Sequence, residues 1–511
     1  MMGSLPAEIL HCIFEHLETP LSLQHWEPLQ DWKPVHHPQP RALIALSQVS
    51  HLFRSVTRPL IYRTVVLRSP YGQDDIIYMD KLMHILCADP EIGHNIRGLQ
   101  VYPWMPGYDV DYFARKLRAS PENLDDRQKR WLNKWAEAEN DNATLVALLV
   151  APRLRSLEYM GDESIKGIAA YLSGRKDVED DYFATALDGD ADNHSDNASD
   201  ETGSETASED GDEDTEPDDV PAGQQKSQLV GPLSENPLSL LREVRVGRRG
   251  GYGPGLKRAR NIEGVLLNPG LEILRLSAYR WTKGDVRAMK WNNVMNNITT
   301  LQLMNCLIDE RGLANALRRC RLRHLHIVMA PDYGIGADEY GTVRSFSGIG
   351  VALRKYGQSL ESLDFESTRF RHGYYYVMIG HIGPLSELGR LKSLKMGVQD
   401  LGEFDEGDEE ELKMELRTSL PPTLESICVR RSGNNGRRVP LTLLTDEVFS
   451  ELRTIEVEDY KVIENEYDTK ALEVPGWFKS FRTGVNYTYG RELSRHDRRT
   501  ITIFSRDGEV D

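Results

Sequence analysis

The sequence predicts an α/β protein, with a short helical unit at its N-terminus and an array of strands and helices behind it. Two observations predict this class. Residues 5–17, LPAEILHCIFEHL, place apolar side chains three and four residues apart, which is the spacing of one helix face. Downstream, the pattern L-x-x-L-x-L recurs, and its alternation is that of strands that bury one face.

The charge of the chain is concentrated in one segment. The 511 residues carry a net charge of −17, and residues 177–219 hold nineteen Asp and Glu with no Lys or Arg. The rest of the chain is therefore close to neutral, which argues against a global polyanion binder. We expect residues 177–236, the acidic run and its polar continuation, to be a disordered linker because they contain little to bury.

Cysteine usage and hydropathy indicate the cellular compartment. The five cysteines are odd in number and scattered, unlike the paired framework of a small secreted protein. No signal-peptide pattern and no run of eighteen apolar residues occurs in the chain. We expect a reducing compartment, the cytoplasm, the nucleus or both, and no membrane partner.

The opening segment predicts a helix and a helical partner. Pro6 suits the first helical position, and Glu8 faces the positive end of the helix dipole. A helix this short must pack on something. Residues 42–67 repeat the helical period, and Pro59 is the predicted end of that helix.

The two stretches LPAEILHCIFEHL and LSQVSHLFRSVTRPLIYRTV together resemble an F-box, the three-helix module by which substrate receptors dock on the Skp-type adaptor of cullin ubiquitin ligases. The resemblance covers about 60 residues, and residues 19–40 form a longer, more proline-rich link than is usual. A helical hairpin that merely caps a core is the alternative. The resemblance implies that these residues contact the adaptor: Leu5, Pro6, Ile9, Leu10, Ile13, Phe14, Val49 and Phe53.

The L-x-x-L-x-L pattern predicts a leucine-rich-repeat solenoid with a parallel concave sheet. Units begin at 271, 298, 322, 360, 391, 424 and 452, with weaker copies at 96, 154 and 241. Helical stretches such as DERGLANALRRC lie between them. The spacing is irregular, so a non-repeat α/β domain remains an alternative. Cys306 occupies the position where the pattern requires Asn or Cys, which favours a structural role.

These patterns divide the chain into five parts. Residues 1–67 are the F-box, 68–176 a first irregular repeat-like region, 177–236 the linker, 237–480 the solenoid and 481–511 a C-terminal tail. The third, fifth and seventh positions of each unit should face the concave surface. As a hypothesis, target binding uses this strip, which is formed by Arg245, Arg275, Gln302, His326, Asp364, Lys395 and Arg430.

No enzyme signature occurs: the sequence lacks H-E-x-x-H, G-x-S-x-G, a Walker loop and a paired C-x-x-C. Cys320, His324 and His326 lie close together but lack a fourth zinc ligand, so no metal or cofactor is expected. The resemblance implies a non-catalytic substrate receptor of a ubiquitin ligase, with the adaptor, a cullin and an unknown target protein as partners. A repeat scaffold with a non-degradative F-box is the alternative. Residues 245–260 are basic and glycine-rich. We expect them to form a loop between repeats that pairs with the acidic tract; a nucleic-acid arm or a nuclear-import signal is the alternative, and nucleic acid is not the expected partner.

Overall fold

The structure is a computed structural model of the chain. It describes residues 6–16, 41–68, 85, 89–102, 125–137, 148, 151–161, 165–187, 238–247, 256–287, 289, 291, 295–329, 346–367, 381–402, 409–430, 438–459, 477–485 and 498–506. Leu5, the link 19–40 and residues 188–236 fall outside these ranges.

The N-terminal unit consists of three helices, α1 (Ala7–Glu15), α2 (Arg41–Ser47) and α3 (His51–Ile61). The second helical stretch is therefore two helices rather than one. Ser50 separates them, because its side-chain oxygen accepts a hydrogen bond from the backbone N–H of Phe53 at 3.1 Å and caps α3. Pro59 does not end the helix as predicted: it lies in the last turn of α3, two residues before the end.

The helical unit has a small core of its own. Phe14 of α1 meets Phe53 of α3 edge to face, with 5.3 Å between ring centroids. The buried core consists of Leu10, Phe14, Leu43, Val56 and Leu60. This core is separate from the large core behind the sheet, so the unit has its own packing.

Fifteen strands are assigned in the described residues. They are β1 (Thr64–Arg68), β2 (Gly98–Tyr102), β3 (Ser156–Met160), β4 (Glu243–Gly247), β5 (Lys257–Arg258), β6 (Ile273–Ser277), β7 (Tyr279–Trp281), β8 (Thr300–Ile308), β9 (His324–Met329), β10 (Ser362–Glu366), β11 (Ser393–Gly397), β12 (Ser426–Arg430), β13 (Thr454–Asp459), β14 (Phe478–Val485) and β15 (Arg498–Ser505).

One long sheet contains most of these strands in chain order. Its order is β1-β2-β3-β4-β6-β8-β9-β10-β11-β12-β13-β15-β14, with β5 and β7 paired beside it. Strands β1 to β13 along this path are parallel, and β15 and β14 close it in antiparallel pairs. This arrangement confirms the predicted α/β class, and a strand forms at each of the ten predicted units.

The strands are in one register, which the fourth residue of the pattern marks. Each of these residues lies opposite its counterpart on the next strand, and all are buried. They are Val65, Leu99, Leu157, Val244, Leu274, Leu301, Leu325, Leu363, Leu394, Ile427 and Ile455. This line of aliphatic side chains is part of one continuous core.

Helices and turns connect the strands. The helices after the N-terminal unit are α4 (Pro90–Asn95), α5 (Asp126–Glu137), α6 (Lys166–Ser173), α7 (Lys176–Leu187), α8 (Glu263–Leu266), α9 (Lys283–Arg287), α10 (Glu310–Arg319), α11 (Phe346–Tyr356), α12 (Val398–Leu401), α13 (Glu409–Ser419) and α14 (Arg438–Thr445). Helix α10 begins where Asp309 accepts a hydrogen bond from the N–H of Gly312 at 2.7 Å. It buries Leu313 and Leu317 on the core, as their spacing predicts.

The predicted domain boundaries need correction. The boundary at 67/68 falls inside β1, because the helical unit ends at Ile61 and β1 already belongs to the sheet. Regions 68–176 and 237–480 are not separate, since β3 pairs directly with β4. The predicted tail contributes β15, which pairs with β13 and extends the same sheet.

The prediction that residues 177–236 form a disordered linker is wrong for its first part. Helix α7 extends to Leu187. Its Glu179 is fully buried and accepts hydrogen bonds from Arg127 Nε at 2.6 Å and from Arg130 Nη2 at 2.5 Å, both on α5. The acidic composition predicted disorder, but two contacts hold this helix in place. Glu179 pairs with the two arginines, and Phe183 packs on Trp131. The rest of the segment lies outside the described residues.

Neutralising Glu179 should therefore destabilise the protein. The change Glu179→Gln removes the carboxylate between two arginines, and breaking a buried ion pair costs about 3 kcal/mol at the lower end of the usual range. Asp177→Asn is the matched control, because Asp177 belongs to an exposed pair with Arg175 at 2.9 Å and such pairs contribute less than about 1 kcal/mol. Thermal unfolding of both variants measures the difference. Equal melting temperatures would contradict the packing of α7.

Candidate protein-interaction sites

Helix α1 exposes one of its two apolar edges. Ile9 and Ile13, one turn apart, are 47% and 46% exposed. Leu10 and Phe14, also one turn apart, are only 5% exposed and lie in the helical core. The helix thus has a buried edge that holds α3 and an exposed aliphatic edge that no described residue covers.

The second and third helices add exposed aliphatic side chains. Ile44 of α2, Val49 between the helices and Leu52 of α3 are exposed, and Phe53 is half-buried against Phe14. We call Ile9, Ile13, Ile44, Val49 and Leu52 the aliphatic surface of the helical unit. Its members Ile44 and Leu52 were missed at the sequence level, although Leu52 is part of the helical period that predicted the helix.

The predicted adaptor-binding set divides accordingly. Pro6, Ile9, Ile13 and Val49 are exposed. Leu10 and Phe14 are buried in the helical core, so the prediction that they contact a partner directly is corrected to a role in folding the unit. Leu5 lies outside the described residues.

The second candidate surface is the sheet face opposite the core. The fifth residues of the pattern share one register and form a row across the strands. In order they are Gln100, Glu158, Arg245, Arg275, Gln302, His326, Asp364, Lys395, Cys428 and Glu456. The row therefore contains the strip that the sequence predicts, with Arg430 at a seventh position beside it.

The first half of this row is a chain of hydrogen bonds between neighbouring strands. Glu158 Oε2 accepts from Gln100 Nε2 at 2.8 Å and lies 3.2 Å from Arg245 Nη1. Two strands along, Arg275 donates through Nε to Glu243 at 2.8 Å and through Nη1 to Gln302 at 2.7 Å. Each arginine therefore has a carboxylate partner within the sheet.

Burial affects the acid in this network. The pKa of the Glu243 carboxyl lies above its ordinary value because burial disfavours the charged form, and nearby Arg275 and Arg245 only partly offset this. Arg245 and Arg275 are 5% and 7% exposed. Their guanidinium groups serve the fold rather than a partner.

The second half of the row contains a cluster around Arg430. Its Nη2 lies 2.7 Å from Asp364 Oδ1 and 3.5 Å from Glu366 Oε2 on β10, and its Nη1 donates to the carbonyl oxygen of Phe365 at 2.8 Å. On the other side of Asp364, His326 Nε2 lies 3.4 Å from Oδ2. Arg430 starts on β12, so its side chain reaches across β11, where Gly397 is its neighbour in register.

The hypothesis that the whole strip binds a target is therefore corrected. Arg245, Arg275 and Arg430 are buried and paired, and charge reversal at Arg275 would damage the sheet before it affected any target. The remaining four predicted residues are only partly exposed: they are Gln302, His326, Asp364 and Lys395. They lie on four successive strands, from β8 to β11.

The protonation of His326 and Asp364 follows from this environment. Burial lowers the pKa of the His326 imidazole below its ordinary value, and the attraction of Asp364 does not restore it. Burial raises the pKa of the Asp364 carboxyl, but Arg430, His326 and Lys395 outweigh burial and hold the pKa below its ordinary value. At neutral pH the pair is thus a neutral imidazole beside a carboxylate.

The cysteines and histidines singled out in the sequence do not converge on a metal site. Burial raises the pKa of the Cys306 and Cys320 thiols to about 12, so both are protonated at neutral pH. Cys306 Sγ accepts from the N–H of Tyr279 at 3.4 Å, where β8 bulges, which agrees with a structural role. His324 is exposed at the start of β9. Among the described residues, no cluster of three or more His, Cys, Asp or Glu could hold a metal ion.

Comparison with known proteins adds no identity. No protein-family model matches the chain. No curated protein matches it either. Within the described part of the chain, no helix has the length and apolar character needed to cross a membrane.

Acidification should destabilise the protein partly through His326. The pKa of its imidazole is lowered in the folded state. Below about pH 6.5, and down to that lower pKa, the unfolded chain therefore binds a proton at His326 and the folded chain does not. The contribution of His326 to the free energy of unfolding is therefore fully present above about pH 6.5 and decreases as the pH falls below that value. Between pH 7.5 and pH 5.5 the melting temperature of the variant His326→Asn should therefore fall less than that of the parent chain.

His324→Asn is the control for this experiment, because it removes an exposed histidine from the same strand. The fall in the melting temperature of His324→Asn between pH 7.5 and pH 5.5 should match that of the parent chain. Equal falls in melting temperature for His326→Asn and His324→Asn would show that the pKa of His326 does not differ between the folded and the unfolded chain.

Proposed function

We propose that the chain is the substrate-recognition subunit of an SCF-type ubiquitin ligase. The helical unit acts as an F-box that docks on a Skp-type adaptor, and the sheet and its helices act as a leucine-rich-repeat solenoid that holds a target protein. One observation carries this proposal: a three-helix unit with its own core keeps five large aliphatic side chains exposed beside an extended array of parallel strands. Exposed aliphatic clusters of this kind mark protein contacts.

The connection between the two parts suits such a receptor. Strand β1 follows α3 after two residues. Arg63 pairs with Glu15 of α1 at 2.9 Å, and Arg58 of α3 pairs with Asp89, just before α4, at 2.6 Å. These ties restrain the helical unit relative to the sheet. A restrained receptor would hold its target at high effective concentration near the ubiquitin-carrying enzyme, which is a non-catalytic contribution.

The target surface that fits this proposal is the partly exposed middle of the sheet face. Gln302, His326, Asp364 and Lys395 offer an amide, an imidazole, a carboxylate and an ammonium on adjacent strands. Their side chains are partly exposed, whereas those of Arg245, Arg275 and Arg430 are buried. A mixed polar surface of this kind fits a polar segment of a target protein better than a purely apolar one.

Removing exposed aliphatic side chains should weaken adaptor binding without affecting folding. In the variant Ile9→Ala/Ile13→Ala each change removes a side chain worth about 1.5–3 kcal/mol when buried in an interface, so co-purification of the Skp-type adaptor should fall at least about tenfold. The melting temperature should stay near that of the parent, because both side chains are half-exposed. Quantitative pull-down with purified adaptor measures the effect.

Two further variants make the result specific. Met414→Ala removes an exposed apolar side chain from α13, far along the chain, and should leave adaptor binding unchanged. Leu10→Ala removes a buried side chain from the helical core and should lower the melting temperature of the unit. Normal capture of the adaptor by the folded Ile9→Ala/Ile13→Ala variant would refute the docking proposal, and capture of adaptor without cullin would favour a non-degradative scaffold.

A further inference from the structure

A second row of side chains crosses the sheet at the amino ends of the strands, at the second position of the pattern. Backbone hydrogen bonds fix these residues side by side: the N–H of Arg97 donates to the carbonyl of Arg63 at 2.8 Å, that of Arg155 to Arg97 at 2.7 Å, and that of Arg242 to Arg155 at 2.8 Å. Four arginines therefore lie side by side, each one residue before the start of a strand from β1 to β4, with adjacent strands about 4.8 Å apart. We call them, with the neighbouring Arg153, the arginine row.

The rest of the second-position row has a different composition. From β6 onward it reads Glu272, Thr299, Arg323, Glu361, Lys392, Glu425 and Arg453. Opposite charges alternate there and pair, as in Arg323–Glu361 at 3.8 Å and Lys392–Glu425 at 2.7 Å. The fold thus neutralises this line over its second part and leaves four like charges in succession in its first part, where like charges directly opposite each other are destabilising.

Only the ends of the arginine row have acidic partners among the described residues. Arg63 pairs with Glu15 at 2.9 Å and Arg242 with Glu272 at 3.2 Å. Between them, Arg97 donates to the backbone carbonyls of His94 and Ile96. Its pKa lies below the ordinary value because of burial and of the charges on Arg153, Arg155 and Arg63.

Arg153 and Arg155 complete the uncompensated part. Both side chains are exposed, and neither has an acidic partner in the part of the chain that the structure describes. Three positive groups, those of Arg97, Arg153 and Arg155, thus lie together at one edge of the sheet. Such a surface fits an extended polyanion rather than a single small anion, because its charges are spread over neighbouring strands.

The chain itself contains a polyanion that can reach this edge. Residues 188–219 hold fifteen Asp and Glu and no Lys or Arg. The described chain stops at Leu187, at the end of α7, and resumes at Leu238, four residues before Arg242 of the row. The acidic run is separated from Leu238 by the 18 residues 220–237, and a random coil of that many residues has a root-mean-square span of about 25 Å. A tether of this length gives an effective concentration on the order of millimolar.

We propose that the arginine row binds the acidic segment 188–219 of the same chain. The contact is electrostatic, made by Arg97, Arg153 and Arg155 in the middle of the row, and therefore weakens with salt. It is distinct from the proposed adaptor and target surfaces, and it does not depend on the ubiquitin-ligase proposal.

A peptide-binding experiment tests this assignment. The probe is a fluorescein-labelled synthetic peptide of residues 188–219, and anisotropy at low salt measures its affinity for two full-length proteins. One is the parent chain; the other carries Asn and Gln in place of the fifteen acids, with its length kept. The neutral-segment protein should bind the peptide at least tenfold more tightly than the parent, in which the chain's own segment competes for the row, and salt should abolish the difference.

Paired variants locate the binding surface. In the neutral-segment protein, Arg153→Gln/Arg155→Gln should reduce peptide affinity at least tenfold. The matched control Arg323→Gln/Lys392→Gln removes two exposed cations from the same row, in its alternating part, and should leave affinity within about twofold. In the parent chain, Arg153→Gln/Arg155→Gln should also speed cleavage of the segment by a glutamate-specific protease, a readout that requires no peptide.

Three results would overturn the proposal. Equal peptide affinity of the parent and neutral-segment proteins would show that the acidic segment does not occupy the row. Equal losses in the two Gln pairs would show that binding is not local to the row. Tighter binding of a single-stranded oligonucleotide than of the peptide to the neutral-segment protein, lost in its Arg153→Gln/Arg155→Gln variant, would assign the row to nucleic acid. Melting curves of all the variants verify folding; the side chains changed in the two Gln pairs are exposed.

Discussion

The common register of the parallel strands is the constraint on which the rest of the structure depends. At each step two successive N–H groups of one strand donate to a single carbonyl on the strand before, from Arg97 and Gly98 onto Arg63 to Arg453 and Thr454 onto Glu425. The fourth-position aliphatic residues then meet in one line and bury one another. Because this local pattern repeats, segments of very different length between strands are tolerated on the surface, as the cost of longer loops grows only slowly.

A fixed register also aligns everything on the opposite face. Any side chain at the fifth position must meet the fifth-position side chains of both neighbours, so the charges there cannot be chosen independently. Glu158 beside Arg245 satisfies this constraint directly, and Arg275 does so diagonally, through Glu243. The second-position row obeys the same geometry, which is why the succession of Arg63, Arg97, Arg155 and Arg242 is conspicuous against the alternating charges that follow it.

The sequence predicted the strands well because their signal is local. Leucine at positions one, four and six predicts which residues enter the core without reference to the neighbours. Which polar side chains are buried in ion pairs could not be predicted in the same way, because the partners are distant in the sequence. Arg275 and Glu243 are 32 residues apart, and Arg245 and Glu158 are 87 residues apart. An arginine that looks available on one strand is held within the sheet once a neighbouring strand supplies an acid, as Glu158 does for Arg245 and Glu243 for Arg275.

The helical unit shows a related limit. Its period identified Ile9, Leu10, Ile13 and Phe14 as one broad apolar face, but periodicity alone does not say which edge packs against α3. Phe14 meets Phe53 and turns Leu10 inward, which leaves the isoleucines outside. Glu179 gives the converse case, because an acidic composition argued for disorder and two arginines on α5 fixed the helix instead.

These constraints narrow what the two surfaces can do. A guanidinium that already holds a carboxylate in a buried site gains little from a second partner and loses much when separated from the first. In the proposed receptor, recognition on the sheet face would therefore use the partly exposed groups of Gln302, His326, Asp364 and Lys395, with the arginines as fixed supports. The aliphatic surface of the helical unit is under no such restriction, since Ile9 and Ile13 are 47% and 46% exposed and a protein that covered them would bury their side chains.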